Sequence, residues 1–167
     1  DFFQFHTSQE FYNEVLTIFN ETRWIKDEKV KVRHTEGDAK IVTDTQFVIH
    51  QPTTGTTRST HIDNPLEIYA GLLYMRQRGD NANGGDFVIY DAPEIDKVVA
   101  KTGREIPKDI EKKEHKKITY KENTFVMFLN TNKSVHGVTP RENALHDRLS
   151  INIIAEAEKK LGPLFKL

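Results

Sequence analysis

Cysteine is absent from all 167 residues, which excludes disulfides and any thiolate metal site. A surplus of one charge is missing as well. Lysine and arginine total 24 against 25 aspartates and glutamates, so nothing draws the chain toward nucleic acid or an anionic membrane. No apolar run approaches the ~18 residues that a membrane-spanning helix requires. No basic segment followed by an apolar stretch opens the chain, so no signal peptide is expected. Absence of cysteine agrees with a reducing, cytoplasmic setting. At this length one domain with a sizeable core is expected, with no break that reads as a linker.

The pattern that is present is mostly that of strands. One helix is expected near the start. Thr7 and Glu10 have capping-box spacing, and Phe11, Val15, Leu16 and Phe19 recur at helical intervals. After it come short β-branched and aromatic segments at 40–51, 67–76, 86–90, 118–120, 125–129 and 148–154, separated by Gly, Asn, Pro and Thr clusters. Many strands with few helices between them indicate a sandwich or jelly roll rather than a parallel α/β sheet. The expected division is helical and strand support over 1–39, a core over 40–156 and a tail over 157–167. Residues 51–60 are polar and read as a loop. Residues 95–117 are heavily charged with mixed signs and read as a solvated helix or loop.

Two histidines and a carboxylate stand out against this background. His61 and Asp63 are two apart, a spacing that puts both side chains on one side of an extended segment. His136 follows an apolar strand and can reach them only if strands distant in sequence lie together. Such a set can hold one face of a ferrous ion and leave the other open to substrate and oxygen. The remaining histidines, His6, His34, His50, His115 and His146, read as structural or surface residues.

Residues 148–154 then alternate, with Leu149, Ile151 and Ile153 on one side and Arg148, Ser150 and Asn152 on the other. The apolar row needs a cover, for which the N-terminal helix is the candidate. The polar row would line the interior, and an arginine there needs an anion. Guanidinium binds carboxylate in a planar fork, and Ser150 can add a hydroxyl. Arg141 competes for this role but sits in a turn-like stretch. Arg58, Arg76 and Arg78 are candidates for the rim of the site.

Taken together, these segments resemble the 2-oxoglutarate- and iron(II)-dependent oxygenases, most closely the prolyl-4-hydroxylase-like branch. The resemblance covers about residues 40–156. It rests on Gln51-Pro52, His61-Ile62-Asp63-Asn64-Pro65, Leu72-Leu73-Tyr74-Met75, Gly84-Gly85-Asp86-Phe87, residues 125–129, Ser134-Val135-His136-Gly137-Val138 and residues 148–154. Gln51 stands where the branch often has tyrosine, and the interval from His136 to Arg148 is longer than in many members.

The resemblance implies a double-stranded β-helix, that is, a jelly roll. It implies that His61, Asp63 and His136 bind Fe(II), and that Arg148 binds the distal carboxylate of 2-oxoglutarate. Tyr74 stands where the branch often places a tyrosine on that carboxylate, and is equally readable as a core aromatic. The implied activity is hydroxylation of a small molecule, peptide or protein, with a prolyl residue as first choice. It would consume O2 and release succinate and CO2, with ascorbate as an optional reductant. The rival expectation is a cupin-like module that holds a metal or ligand without oxygenase activity. Oligomeric state is not legible.

Overall fold

The computed structural model describes residues 1–21, 41–52, 58–64, 66–93, 95, 105–131 and 133–157. The strand support expected within 22–39, half of the polar loop at 51–60 (residues 53–57), part of the charged stretch and the tail beyond 157 lie outside them. The elements are α1 (Phe2–His6), α2 (Gln9–Glu21), β1 (Ile41–His50), β2 (Glu67–Tyr74), β3 (Phe87–Asp91), β4 (Lys113–Ile118), β5 (Thr124–Leu129), β6 (His136–Val138) and β7 (Arg148–Ala157).

All strand pairs are antiparallel. One sheet has the order β1-β7-β2-β5, the other β4-β3-β6. Chain-distant strands therefore lie side by side, as a jelly roll requires, and the fold is mainly β with a supporting N-terminal helix. Alternation along β7 sets the layers. Its pairing with β1 runs from Ile41↔Ala157 to His50↔Arg148, and with β2 from Glu67↔Glu156 to Tyr74↔Ser150. Because side chains alternate, Ile151, Ile153 and Ala155 share the outer face, while Arg148, Ser150 and Asn152 share the inner one.

Helix α2 covers the outer row. Phe11, Tyr12 and Val15 are buried against Ile68, Tyr69, Ile151, Ile153 and Ala155, with Leu16 and Phe19 at the margin. Each such side chain contributes roughly 1.5–3 kcal/mol when fully removed from water. The cover stops part-way along the sheet, and Phe47, Ile49, Met75 and Phe125 remain exposed. The helix start differs from the expected Thr7–Glu10 box. Ser8 caps α2, its Oγ accepting the Phe11 N–H at 3.1 Å, while the Thr7 hydroxyl donates to the Phe3 carbonyl at the end of α1. The extra short helix α1 has its own capping box from Asp1 and Gln4.

The charged stretch also differs from expectation. Lys113–Ile118 is not helix or loop but an edge strand paired only with β3 in its sheet, with Val88↔Lys117 and Ile89↔Lys116 in register. Residues 113–117 are all exposed. An edge strand with no buried face takes its order from backbone bonds and carries no apolar alternation to read.

Gly84-Gly85 joins the turn after β2 to β3. Gly84 has φ +76°, and a Cβ there would lie 1.8 Å from the Pro140 carbonyl oxygen. Gly79, at φ +89°, has open space around it. Gly79→Ala is expected to cost about 1–2 kcal/mol from the left-handed backbone alone. Gly84→Ala adds a backbone collision and is expected to cost more than twice as much, read as the difference in urea midpoint between the two variants.

Candidate active site

Each histidine of the proposed triad is fixed by backbone before its ring is considered. His61 and His136 face each other in an antiparallel bridge, exchanging N–H to carbonyl bonds of 2.8 and 3.0 Å. The segment carrying His61 thus lies beside β6, although it is a single bridge rather than a strand. The residues between and before the ligands pack outward. Ile62 and Val135 are buried with Ile95 and Ile106, and this turns His61, Asp63 and His136 toward the interior. The bend after Asp63 is tied down by buried Asn130, whose amide donates to the carbonyls of Asn64 and Glu67 at 2.6 and 3.1 Å.

The imidazole orientations repeat. Nδ1 of His61 lies 2.7 Å from the Ser59 carbonyl, and Nδ1 of His136 lies 2.8 Å from the Ser134 carbonyl. A carbonyl can only accept, so each Nδ1 carries the proton and each Nε2 presents a lone pair. Those two Nε2 atoms lie 3.3 and 3.5 Å from the two oxygens of Asp63. One ligand atom from each residue falls within 4.8 Å of the others, so the three can hold a metal ion. Burial opposes ionisation of Asp63, but the two histidines beside it outweigh this and hold the carboxyl well below the usual range.

These ligands line a cavity of about 310 Å³ between the sheets. The same cavity is lined by Arg148 and Ser150 from β7, Gln46, Val48 and His50 from β1, and Ala70 and Leu72 from β2. Arg148 is 2 % exposed. Its Nε donates to the Gly85 carbonyl at 3.0 Å, its guanidinium lies 4.9 and 5.0 Å from the Tyr74 and Tyr120 ring centres, and its Nη2 has no partner. Among the described residues no carboxylate forms an ion pair with it. Tyr74 is fully buried on the inner face of β2, and its hydroxyl too has no partner. Burial pushes that hydroxyl up to about 12, partly offset by the charge of Arg148, so Tyr74 keeps its proton and remains a donor. Ser150 is buried, with its hydroxyl 3.4 Å from the Asn152 side-chain oxygen.

A match to the family model described as the 2OG-Fe(II) oxygenase superfamily spans residues 43–155, enclosing the three candidate ligands and every residue named as lining the cavity. The chain belongs to the 2OG-Fe(II) oxygenase superfamily. No curated protein matches it. The superfamily implies Fe(II) and 2-oxoglutarate, and the donor set fits both. Two neutral imidazoles and a carboxylate suit iron, and a buried guanidinium with an unpartnered N–H suits a dicarboxylate. Among the described residues no helix is long and apolar enough to cross a membrane.

The competing arginines are accounted for. Arg141 does lie in the 139–147 connection, but it is 1 % exposed and its Nη2 contacts both oxygens of buried Asp80 at 3.2 and 3.0 Å. Its charge is already neutralised, which leaves Arg148 as the buried guanidinium that faces the cavity with no anion among the described residues. Arg76 donates to the carbonyls of Asp80, Ala82 and Tyr120, so it braces the turn after β2 rather than the rim. Arg58 does line the cavity. Asp80, Tyr120 and Asn130 were not singled out in the sequence, since each acts through backbone contacts more than 25 residues away or through a partner 61 residues distant. His115 contacts Asp91 on the surface and His6 stacks on Phe2.

Removing Asp80 would leave Arg141 charged and buried. Asp80→Ala is expected to cost about 3–5 kcal/mol. Breaking the exposed Lys117–Glu114 pair, 3.2 Å apart, should cost less than about 1 kcal/mol. Denaturant unfolding of the two variants should reproduce that ordering.

Proposed function

We propose that His61, Asp63 and His136 bind Fe(II), that Arg148 with Tyr74 and Ser150 binds the distal carboxylate of 2-oxoglutarate, and that the enzyme hydroxylates an organic substrate. The observation that carries this reading is the unpartnered Nη2 of buried Arg148, opening on the same cavity as the three ligands. A prolyl side chain in a peptide or protein is the first choice of substrate. It is supported by likeness to the prolyl-hydroxylase branch around His61-Ile62-Asp63-Asn64-Pro65 and 134–138. A cytoplasmic setting belongs to the same proposal and is supported by composition alone.

Bound iron and cosubstrate would supply oxygen activation, with succinate and CO2 as products. The protein's part is geometric and electrostatic. Ser59 and Ser134 keep both imidazoles in the ligating tautomer. Asp63 stays ionised and offsets part of the metal charge. Gly85 holds Arg148 so that its free N–H points at the cosubstrate position, and Tyr74 adds a neutral donor beside it. Phe87, Phe128 and Val138 give the cavity an apolar wall that limits water around the reacting centre.

Asp63→Ala should abolish 2-oxoglutarate-dependent succinate release. It should also abolish the weak visible band that forms when Fe(II) and 2-oxoglutarate are added without oxygen. Full activity in that variant would remove Asp63 from the ligand set. Arg148→Ala should raise the KM for 2-oxoglutarate about 10- to 100-fold, the loss of a charge-assisted bond, while iron affinity stays near wild type. A zinc-binding or ligand-carrying module would show neither the band nor the turnover.

A further inference from the structure

We infer that His50 is a further donor to the dicarboxylate, its Nδ1–H held by the same carboxylate that Arg148 Nη2 binds. This rests on the proposed function above and adds a residue to the same site. His50 ends β1 on the cavity side, in line with Gln46 and Val48, and its register partner on β7 is Arg148. Directly opposed residues in an antiparallel pair bring their side chains close together on one face. One row further along, Ser150 of β7 is paired with Tyr74 of β2. Three neighbouring strands thus present His50, Arg148 and Tyr74 at the same end of the inner sheet.

Each of these three residues carries a buried polar atom with no hydrogen-bond partner: His50 Nδ1, Arg148 Nη2 and the Tyr74 hydroxyl. Buried polar atoms are nearly always satisfied, and His50 Nδ1 and Arg148 Nη2, on paired residues of β1 and β7 that line one cavity, point to one ligand that accepts from both. A carboxylate fits, because its two oxygens offer about four lone-pair sites and no donor. The charges acting on His50 agree. Burial and the guanidinium groups of Arg148, Arg141 and Arg58 lower its basicity, so the ring is neutral, and no carboxylate is among those influences. Arg141 is already matched by Asp80, and Asp63 belongs to the triad. Among the described residues no carboxylate is among the charges acting on either His50 or Arg148, so the anion that would face them comes with the ligand.

The test uses the full chain loaded with Fe(II) under anaerobic conditions and titrates 2-oxoglutarate by calorimetry. His50→Leu removes the donor and should weaken binding about 10-fold, while His50→Asn, whose amide nitrogen stands near the Nδ1 position, should stay within about 3-fold of wild type. Fe(II) affinity measured without 2-oxoglutarate should be the same in all three proteins. If His50→Leu does not fold, His50→Gln takes its place, since its amide reaches the Nε2 position and should bind weakly too. Wild-type affinity in His50→Leu, or equal losses in the Asn and Leu variants, would overturn the assignment. Failure of the wild-type protein to bind 2-oxoglutarate would instead overturn the dicarboxylate reading beneath it.

Discussion

A guanidinium enclosed by protein, with no carboxylate paired to it among the described residues, is the constraint on which this structure turns. Desolvating a charge is costly, and the usual remedy is an ion pair. Arg148 receives partial compensation: one carbonyl from Gly85 and the faces of Tyr74 and Tyr120. Much of the surrounding architecture keeps that arrangement in place. The Leu149 N–H donates to the Tyr120 hydroxyl at 2.9 Å, and the Tyr120 N–H donates to Asp86 at 2.8 Å, so the ring beneath Arg148 is tied at both ends. Gly84 and Gly85 adopt backbone that brings the accepting carbonyl to the guanidinium, in a turn too tight at Gly84 for any side chain. Asp80 absorbs the competing charge of Arg141.

The metal end follows a different rule. Metal-binding histidines commonly donate their second nitrogen to a carboxylate, carbonyl or water. Here both donate to a backbone carbonyl two residues earlier, within Ser59-Thr60-His61 and Ser134-Val135-His136. The support for each imidazole is therefore part of the segment that carries it. The reciprocal backbone bonds between His61 and His136 then set the separation of the two rings, whose centroids lie 4.3 Å apart. Local chain geometry and one cross-chain bridge are enough to assemble two of the three ligands.

What could be read in the sequence was whatever is local or periodic. Alternation at 148–154 gave both the covered row and the cavity row, and the order of His61, Asp63, His136 and Arg148 gave the family. The charged strand at 113–118 was illegible because an exposed edge has no apolar period. The Thr7 and Ser8 neighbours offer the same hydroxyl to a helix start, and only the geometry of α1 shows that Ser8 takes it. The place of Arg141 in a turn-like stretch was legible but its burial was not: such a stretch can be sealed when a residue such as Asp80, 61 positions away, neutralises the charge. His50 was grouped with the structural histidines because nothing beside it in the chain reveals that its strand partner is Arg148.

The charged strand β4 has a bearing on how the molecule keeps company with its own copies. An edge strand offers unpaired backbone groups on which another chain can build, and natural sheets often discourage this with lysines along the edge. Lys113-Glu114-His115-Lys116-Lys117 places ionised or strongly hydrated groups at every step of such an edge. A second strand could add there only by bringing its own backbone through that hydration layer. The run whose composition read as a solvated helix or loop is better understood as a guard rail, ending the smaller sheet at three strands.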